Sequence, residues 1–151
     1  MFRGANKVTL DAKGRMAMPA RYRETLGERS DGRLVATVDR ADRCLLIYPL
    51  TDWEEIERKL MRLPTLNPQA RRLQRLMVGH ATDLELDSHG RVLIPPKLRE
   101  YAGLTRQATL IGQGSRFELW DETHWNERRD EWLQASDEAG DLPPELEQLS
   151  L

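Results

Sequence analysis

Arg15 and Arg91 are the two residues of this 151-residue chain whose type and spacing could do specific chemistry. Each follows an aspartate by four positions and a glycine by one, in LDAKGR at 10–15 and LDSHGR at 86–91. A guanidinium group is a planar donor fork that can make paired hydrogen bonds to a phosphate or to guanine O6 and N7. It can equally form only a local ion pair with the preceding aspartate, which contributes about 0 to 1 kcal/mol when exposed. Both roles are compatible in one residue, and the sequence leaves both open.

The two arginines lie in a stretch that the chain contains twice, Val8 to Pro19 and Leu84 to Pro95, at a constant offset of 76. Each copy reads as an alternating strand, a tight Asp-x-x-Gly connection and a second alternating strand that runs into a proline. This pattern predicts two hairpins with an arginine beside each turn.

Four residues in these stretches have structural reasons to be in a turn. Asp11 and Asp87 can close it by accepting hydrogen bonds from nearby backbone N–H groups, and Gly14 and Gly90 can adopt a positive φ. A guanidinium has no such structural reason, so the arginines are the candidates for binding.

A short helix is predicted after each hairpin, with glycine as its end. The first begins at Pro19 and is expected to stop at Gly27, and the second is expected to stop at Gly103. Ahead of the first hairpin, the Phe2-Arg3-Gly4 sequence is compatible with a tethered arm.

Two further strands are predicted in each half, where short runs of β-forming residues flank a polar turn. They are Leu34 to Val38, Leu45 to Tyr48, Ala108 to Ile111 and Phe117 to Trp120. In these strands the offset between the two copies is 72 instead of 76, so that Tyr48 corresponds to Trp120. The second copy is therefore four residues shorter, and we assign this loss to the loop between its helix and its third strand.

The connecting segment predicts two helices. Thr51 to Glu54 has the spacing of a capping box, and Asn67-Pro68 is typical of a cap and first helical residue. The basic stripe on the second helix, formed by Arg71, Arg72 and Arg75, is typical of a solvated face and less often of a nucleic-acid contact.

The charge is balanced overall but asymmetric along the chain. Residues 1–29 carry seven Lys and Arg against three Asp and Glu, whereas residues 137–151 carry five Asp and Glu and no cation. A basic N-terminal region is suited to binding a polyanion, and an acidic C-terminal region is not.

The cysteine content and the lack of targeting signals bear on the cellular compartment. The single cysteine, Cys44, cannot form an intrachain disulfide, and neither a signal peptide nor a long apolar run is found. We therefore expect a soluble cytoplasmic protein with no membrane partner.

Catalytic and metal sites are not indicated. His80, Asp83, Asp87 and His89 lie within ten residues, but their spacing matches no metal-ligand pattern. Neither a phosphate-binding glycine loop nor a Ser, His and Asp arrangement recurs with the repeat. We expect no enzyme activity, no catalytic residues, no metal, no cofactor and no small-molecule substrate.

The motifs together resemble those of the MraZ family. They are MFRG at the start, LDAKGRMAMP at 10–19, its partial copy LDSHGRVLIP at 86–95, and FELWDETHW at 117–125. The resemblance implies a mainly β fold with helices (α+β), in which two tandem AbrB-like half-barrels form one pseudo-two-fold swapped-hairpin barrel with peripheral helices. It divides the chain into a first repeat (5–52), connecting helices (53–80), a second repeat (81–124) and a C-terminal helix with an acidic tail (125–151).

The same resemblance implies a sequence-specific transcriptional regulator that binds double-stranded DNA at direct repeats as a ring-shaped homo-oligomer. It implies action on the bacterial division and cell-wall gene cluster, including the protein's own promoter, and association with the nucleoid. The implied DNA-binding residues are Arg3, Lys7, Lys13, Arg15 and Arg91.

The two copies differ in charge, since Lys7, Thr9 and Lys13 become Asp83, Glu85 and His89. We therefore predict that the first copy binds DNA and that the second mainly completes the fold. The alternative is an antitoxin-like protein-interaction module whose DNA contact is incidental.

Overall fold

A computed structural model describes residues 1–135 and 143–150. The strands are β1 (Phe2–Thr9), β2 (Arg15–Ala17), β3 (Arg33–Val38), β4 (Leu45–Pro49), β5 (Thr82–Glu85), β6 (Arg91–Leu93), β7 (Gln107–Gly114) and β8 (Arg116–Asp121). The helices are α1 (Ala20–Ser30), α2 (Leu50–Met61), α3 (Pro68–Leu73), α4 (Pro96–Ala102), α5 (Glu122–Gln134) and α6 (Pro144–Glu147), and α3 continues as a π-helical turn, Gln74–Val78.

The strands form a six-stranded antiparallel sheet in the order β1-β7-β8-β4-β3-β5 and a two-stranded ribbon, β2-β6. Exchanging each strand for its counterpart in the other repeat reproduces the same order. At the centre, Leu46 of β4 lies opposite Glu118 of β8, and these two residues are equivalent at the offset of 72. The implied pseudo-two-fold barrel of two half-barrels is confirmed.

The hairpins are exchanged between the two halves. Among the described residues, the bridge pairing within the first hairpin is one isolated bridge from Leu10, the residue after β1, to Met16 of β2. β1 pairs along its length with β7, and β2 pairs with β6. The simple hairpin predicted from the alternation is therefore corrected to the swapped form. Each half supplies strands that the other half needs to complete its sheet.

The main core lies between the six-stranded sheet and a second layer formed by the ribbon, α1 and α4. Both repeats contribute to it almost equally, with fully buried side chains that include Met16, Leu26, Leu45, Ile94 and Leu110. Burying a side chain of this size stabilises the fold by about 1.5–3 kcal/mol.

The other face of the sheet is covered by the remaining helices. α2 and the π-helical turn cover one half, where Tyr48 and Trp53 pack together, and α5 covers the other half, where Trp120 packs on Trp125. The predicted equivalence of Tyr48 and Trp120 fits this arrangement. Of the helices in the described ranges, none is both long enough and apolar enough to span a membrane.

The four-residue difference between the repeats occurs in two places. Val8 and Leu84 are equivalent, so their sheet partners Ala108 and Leu34 are equivalent too, which is an offset of 74 in the third strand. Two residues are therefore lost before that strand and two in the turn that follows it. The assignment of all four to one loop was wrong, because short polar turns carry little sequence signal.

Two helix boundaries also differ from prediction. α1 continues through Gly27 to Ser30 and ends at Asp31, whose left-handed φ of 54° closes the last turn, whereas Gly103 ends α4 as predicted. α2 begins at Leu50 after Pro49 and has no side-chain cap, so the capping box at Thr51 is not formed.

The predicted cap of α3 is confirmed, since the Asn67 side chain accepts hydrogen bonds from the N–H groups of Gln69 and Ala70. Part of the predicted terminal helix is α6, but residues 136–142 and Leu151 lie outside the described residues.

Candidate nucleic-acid interface

The ribbon β2–β6 has one buried face and one outward face. Met16 and Val92, at its centre, are buried in the main core with 0% and 1% exposure. Because side chains alternate along a strand, their neighbours Arg15 and Arg91 point away from the core. The packed layer beneath them fixes the position of both arginines.

The register of the ribbon brings the two arginines together. Arg15 lies opposite Leu93, and Arg91 lies opposite Ala17, so the arginines are diagonal neighbours on one face. Diagonal positions in an antiparallel pair are about 7–8 Å apart. Residues 76 apart in the sequence thus present two donor forks side by side.

The first turn is built around Asp11. Its Oδ1 accepts hydrogen bonds from the backbone N–H groups of Lys13 at 3.0 Å and Arg15 at 2.9 Å, and its Oδ2 accepts one from Arg15 Nε at 2.7 Å. The side-chain contact uses only Nε, and in the described ranges the two Nη groups of Arg15 have no partner. The aspartate closes the turn and aims the free end of the guanidinium outward.

The second turn repeats this geometry. Asp87 Oδ1 accepts from the N–H groups of His89 at 2.8 Å and Arg91 at 2.9 Å, and Oδ2 accepts from Arg91 Nε at the longer distance of 3.2 Å. Both roles considered for each arginine, ion pair and outward donor, are therefore compatible with the structure.

The hydrogen bonds of the turn change the acidity of its carboxyl group. The backbone N–H of Arg15 is the main cause that lowers the pKa of Asp11 from 3.8 to about 2, and the Arg15 side chain adds to it. The corresponding N–H of Arg91 lowers the pKa of Asp87.

We expect the order of the first turn to survive acidification well below the ordinary range of an aspartate. Because the pKa of Asp11 is lowered on folding, its contribution to stability is complete above pH 3.8 and is lost as the pH falls towards about 2. The amide resonances of Lys13 and Arg15 in an NMR titration measure this transition. A midpoint at or above 3.8 would contradict the assigned hydrogen bonds.

Each turn is also held by a side chain from the other repeat. Gly14 has a φ of +88°, and a Cβ at this position would lie 2.5 Å from Arg99 Nε and 2.9 Å from the Ile94 carbonyl oxygen. Gly90 has a φ of +73° and is approached in the same way by Arg23, at 2.6 Å from Nε. The positive φ therefore favours glycine at both turns, and at Gly14 the Ile94 carbonyl oxygen also leaves no room for a Cβ.

The first turn borders a shallow hollow of about 730 Å³ that is lined by four arginines. They are Arg15, Arg91, Arg99 and Arg106. Sequence reasoning missed Arg23, Arg99 and Arg106, although Arg23 and Arg99 are identical at the offset of 76 and could have been found from the repeat.

The two sides of the ribbon differ in charge. The N–H of Leu10 donates to the carbonyl of Arg106 at 2.8 Å, and the equivalent N–H of Leu86 donates to the carbonyl of Gly32 at 2.9 Å. A glycine therefore takes the place of Arg106 on the second side. The basic surface is stronger around the first turn.

The other predicted cations are placed at different distances from the ribbon. Lys13 lies exposed in the first turn, and Lys7 lines a second hollow together with Arg23. Arg3 lies at the start of β1, six residues before Thr9, which is about 20 Å along the strand. The structure thus groups Lys7 and Lys13 near the arginine pair and leaves Arg3 apart.

The N-terminal residues form a strand instead of the tethered arm. Phe2 is 3% exposed and packs against the rings of Tyr22 and Phe117, and the Tyr22 hydroxyl donates to the Arg3 carbonyl at 2.5 Å. These contacts fix Arg3 at its place on the edge of the sheet.

Comparison with known proteins is consistent with this architecture. A family model described as "MraZ protein, putative antitoxin-like" matches residues 1–76 and 77–141, one match for each half. Curated relatives named "Transcriptional regulator MraZ" include those of Halorhodospira halophila, 57% identical over 152 residues, Thioalkalivibrio sulfidiphilus, 58% over 151, and Pseudomonas aeruginosa, 56% over 151. Each alignment covers the whole of both chains. The chain therefore belongs to the MraZ family.

Proposed function

We propose that this protein is a transcriptional regulator that reads double-stranded DNA with the outward face of the β2–β6 ribbon. The observation that carries the proposal is the pair of guanidinium groups, Arg15 and Arg91, held side by side on a rigid ribbon with their Nη groups free among the described residues. The names of the relatives support regulation of transcription, and the geometry supports contact with DNA.

The ribbon has the right form for base readout. A major groove about 12 Å wide admits a two-stranded β-ribbon, and an arginine there can donate twice to guanine O6 and N7. Asp11 and Asp87 hold the Nε side of each guanidinium, so little rotamer entropy is lost when the Nη groups meet a base. Each such contact discriminates against a wrong base by about 1–3 kcal/mol.

The surrounding cations supply the sequence-independent part of the affinity. Lys13 lies in the first turn and Arg106 lines the hollow beside it, whereas Lys7 lies beside Arg23, the arginine that approaches the second turn. All three cations are suited to phosphate contacts. Because a glycine takes the place of Arg106 at the second turn, we assign the larger share of DNA binding to the surface around the first turn.

One barrel offers too few contacts for tight binding, so assembly is part of the proposal. A homo-oligomeric ring that presents several ribbons to directly repeated sites gains affinity through effective concentration. The proposed targets, the division and cell-wall gene cluster and the protein's own promoter, follow from the family resemblance, as does the association with the nucleoid in the cytoplasm.

We expect the protein to bind DNA from upstream of its own gene more tightly than a scrambled duplex of equal length. The logarithm of the affinity should fall linearly with the logarithm of the salt concentration, with a slope of about −0.9 for each phosphate contacted. We expect each oligomer to contact several phosphates. Fluorescence anisotropy across a salt series measures both quantities. A flat salt response removes the electrostatic mechanism, and equal affinity for both duplexes favours the protein-interaction alternative.

A further inference from the structure

We infer that the segment 143–150 of one copy docks in a groove beside α3 of a second copy. The inference rests on the proposed function, because it specifies the contact between subunits of the proposed ring. The surface that carries it is different from the DNA-binding surface. The residues that line the groove are different from those that line the hollow at the first turn.

The groove is basic at its edge and apolar at its base. It encloses about 600 Å³, and the half-buried side chains of Leu63, Leu73 and Leu76 line it. Arg40 and Arg72 border it, both exposed, and no carboxylate belongs to its lining among the described residues. Such a site fits an apolar segment that carries negative charge.

The C-terminal segment has this composition. Leu146 and Leu149 are 45% and 55% exposed, and a spacing of three residues places them on one side of the chain around α6. Glu145 and Glu147 flank Leu146, and no lysine or arginine occurs from residue 130 onward. The segment and the groove are therefore complementary in charge and in apolar character.

Docking onto a second copy joins two different surfaces of the same chain. A heterologous contact of this kind continues from subunit to subunit and closes into a ring when the rotation between them allows it. Two leucines per contact bury little area, so the assembly depends on every subunit making one contact as donor and one as acceptor.

Two variants test the contact from its two sides, and sedimentation measures the mass of the assembly. The donor variant is Leu146→Asp with Leu149→Asp, and the acceptor variant is Arg40→Glu with Arg72→Glu. All four side chains are exposed, so both variants should fold, which circular dichroism verifies. Each variant alone should need about 100-fold more protein for half-assembly, as expected from the loss of two buried leucines or their charged partners.

Mixing the two variants gives the sharper result. The intact segment of the acceptor variant can enter the intact groove of the donor variant, so the mixture should form a dimer and nothing larger. Adding Glu145→Arg and Glu147→Arg to the acceptor variant should restore the full assembly. Leu133→Asp, at an exposed leucine of α5, is the matched control and should leave the mass unchanged.

Wild-type protein that is monomeric, variants that assemble as wild type does, or a mixture that stays monomeric would each overturn the inference. Failure of the proposed function gives a different result. In that case, anisotropy shows no DNA specificity while the donor and acceptor variants still lose their assembly.

Discussion

The Arg15→Ala variant is expected to lose sequence-specific DNA binding, whereas Arg91→Ala should weaken it much less. A bidentate contact to guanine contributes about 1–3 kcal/mol, or about 5- to 150-fold for each ribbon, and several ribbons act together in a ring. The asymmetry has a structural cause. Arg15 is held by its aspartate at 2.7 Å, against 3.2 Å for Arg91, and has Arg106 close to its turn.

The measurement is anisotropy of both variants on the upstream duplex and its scrambled control at near-physiological salt. Arg58→Ala is the matched control, because Arg58 is an exposed arginine of α2 on the opposite face of the sheet. Equal losses for Arg15 and Arg91 would show that both repeats read DNA equally. Unchanged binding in both variants would show that the ribbon is structural and would direct attention to a protein partner.

The second large effect is expected at Gly14. An alanine there must adopt a φ of +88° and place its Cβ 2.5 Å from Arg99 Nε and 2.9 Å from a backbone oxygen. The left-handed conformation costs about 1–2 kcal/mol, and the overpacking adds about 1–3 kcal/mol. We therefore expect the free energy of unfolding to fall by about 3 to 4 kcal/mol, the middle of that combined range.

Urea denaturation measures this loss, and Gly103→Ala is its control. Gly103 has a φ of +64°, but a Cβ there meets nothing within 4 Å, so only the backbone cost of about 1–2 kcal/mol applies. If the two variants lost the same stability, Arg99 would not be packed against the first turn as described.

The repeat made much of the fold predictable from the sequence. Alternation and turn residues located all the strands but β1 to within a few residues, whereas β1 begins at Phe2, in the segment predicted as an arm. The motifs of both repeats together indicated the family that the family model then matched. Which strand pairs with which was harder to predict from the sequence. Alternation specifies which face of a strand is buried, but it does not specify that β1 pairs with β7 instead of β2, because that choice depends on contacts about 100 residues apart in the sequence.

Parts of the candidate site were also beyond sequence reasoning. The chemistry of Arg15 and Arg91 was readable from their spacing, yet their adjacency depends on the register of the ribbon. The repeat counterpart of Arg106 is a glycine, so only the structure shows that Arg106 borders the first turn. The roles of these residues and the division at 5–52, 53–80, 81–124 and 125–151 stay predictions.

The exchange of strands between the two halves has a consequence for folding during synthesis on the ribosome. β1 is the first strand to be made, but its partner β7 is completed only at Gly114, more than two thirds of the way through the chain. Until then, Phe2 and Val8 lack the surface that buries them in the finished fold. Folding must therefore wait for long-range pairing, which is slow, and the nascent N-terminal half is exposed to misassociation with other chains during that interval.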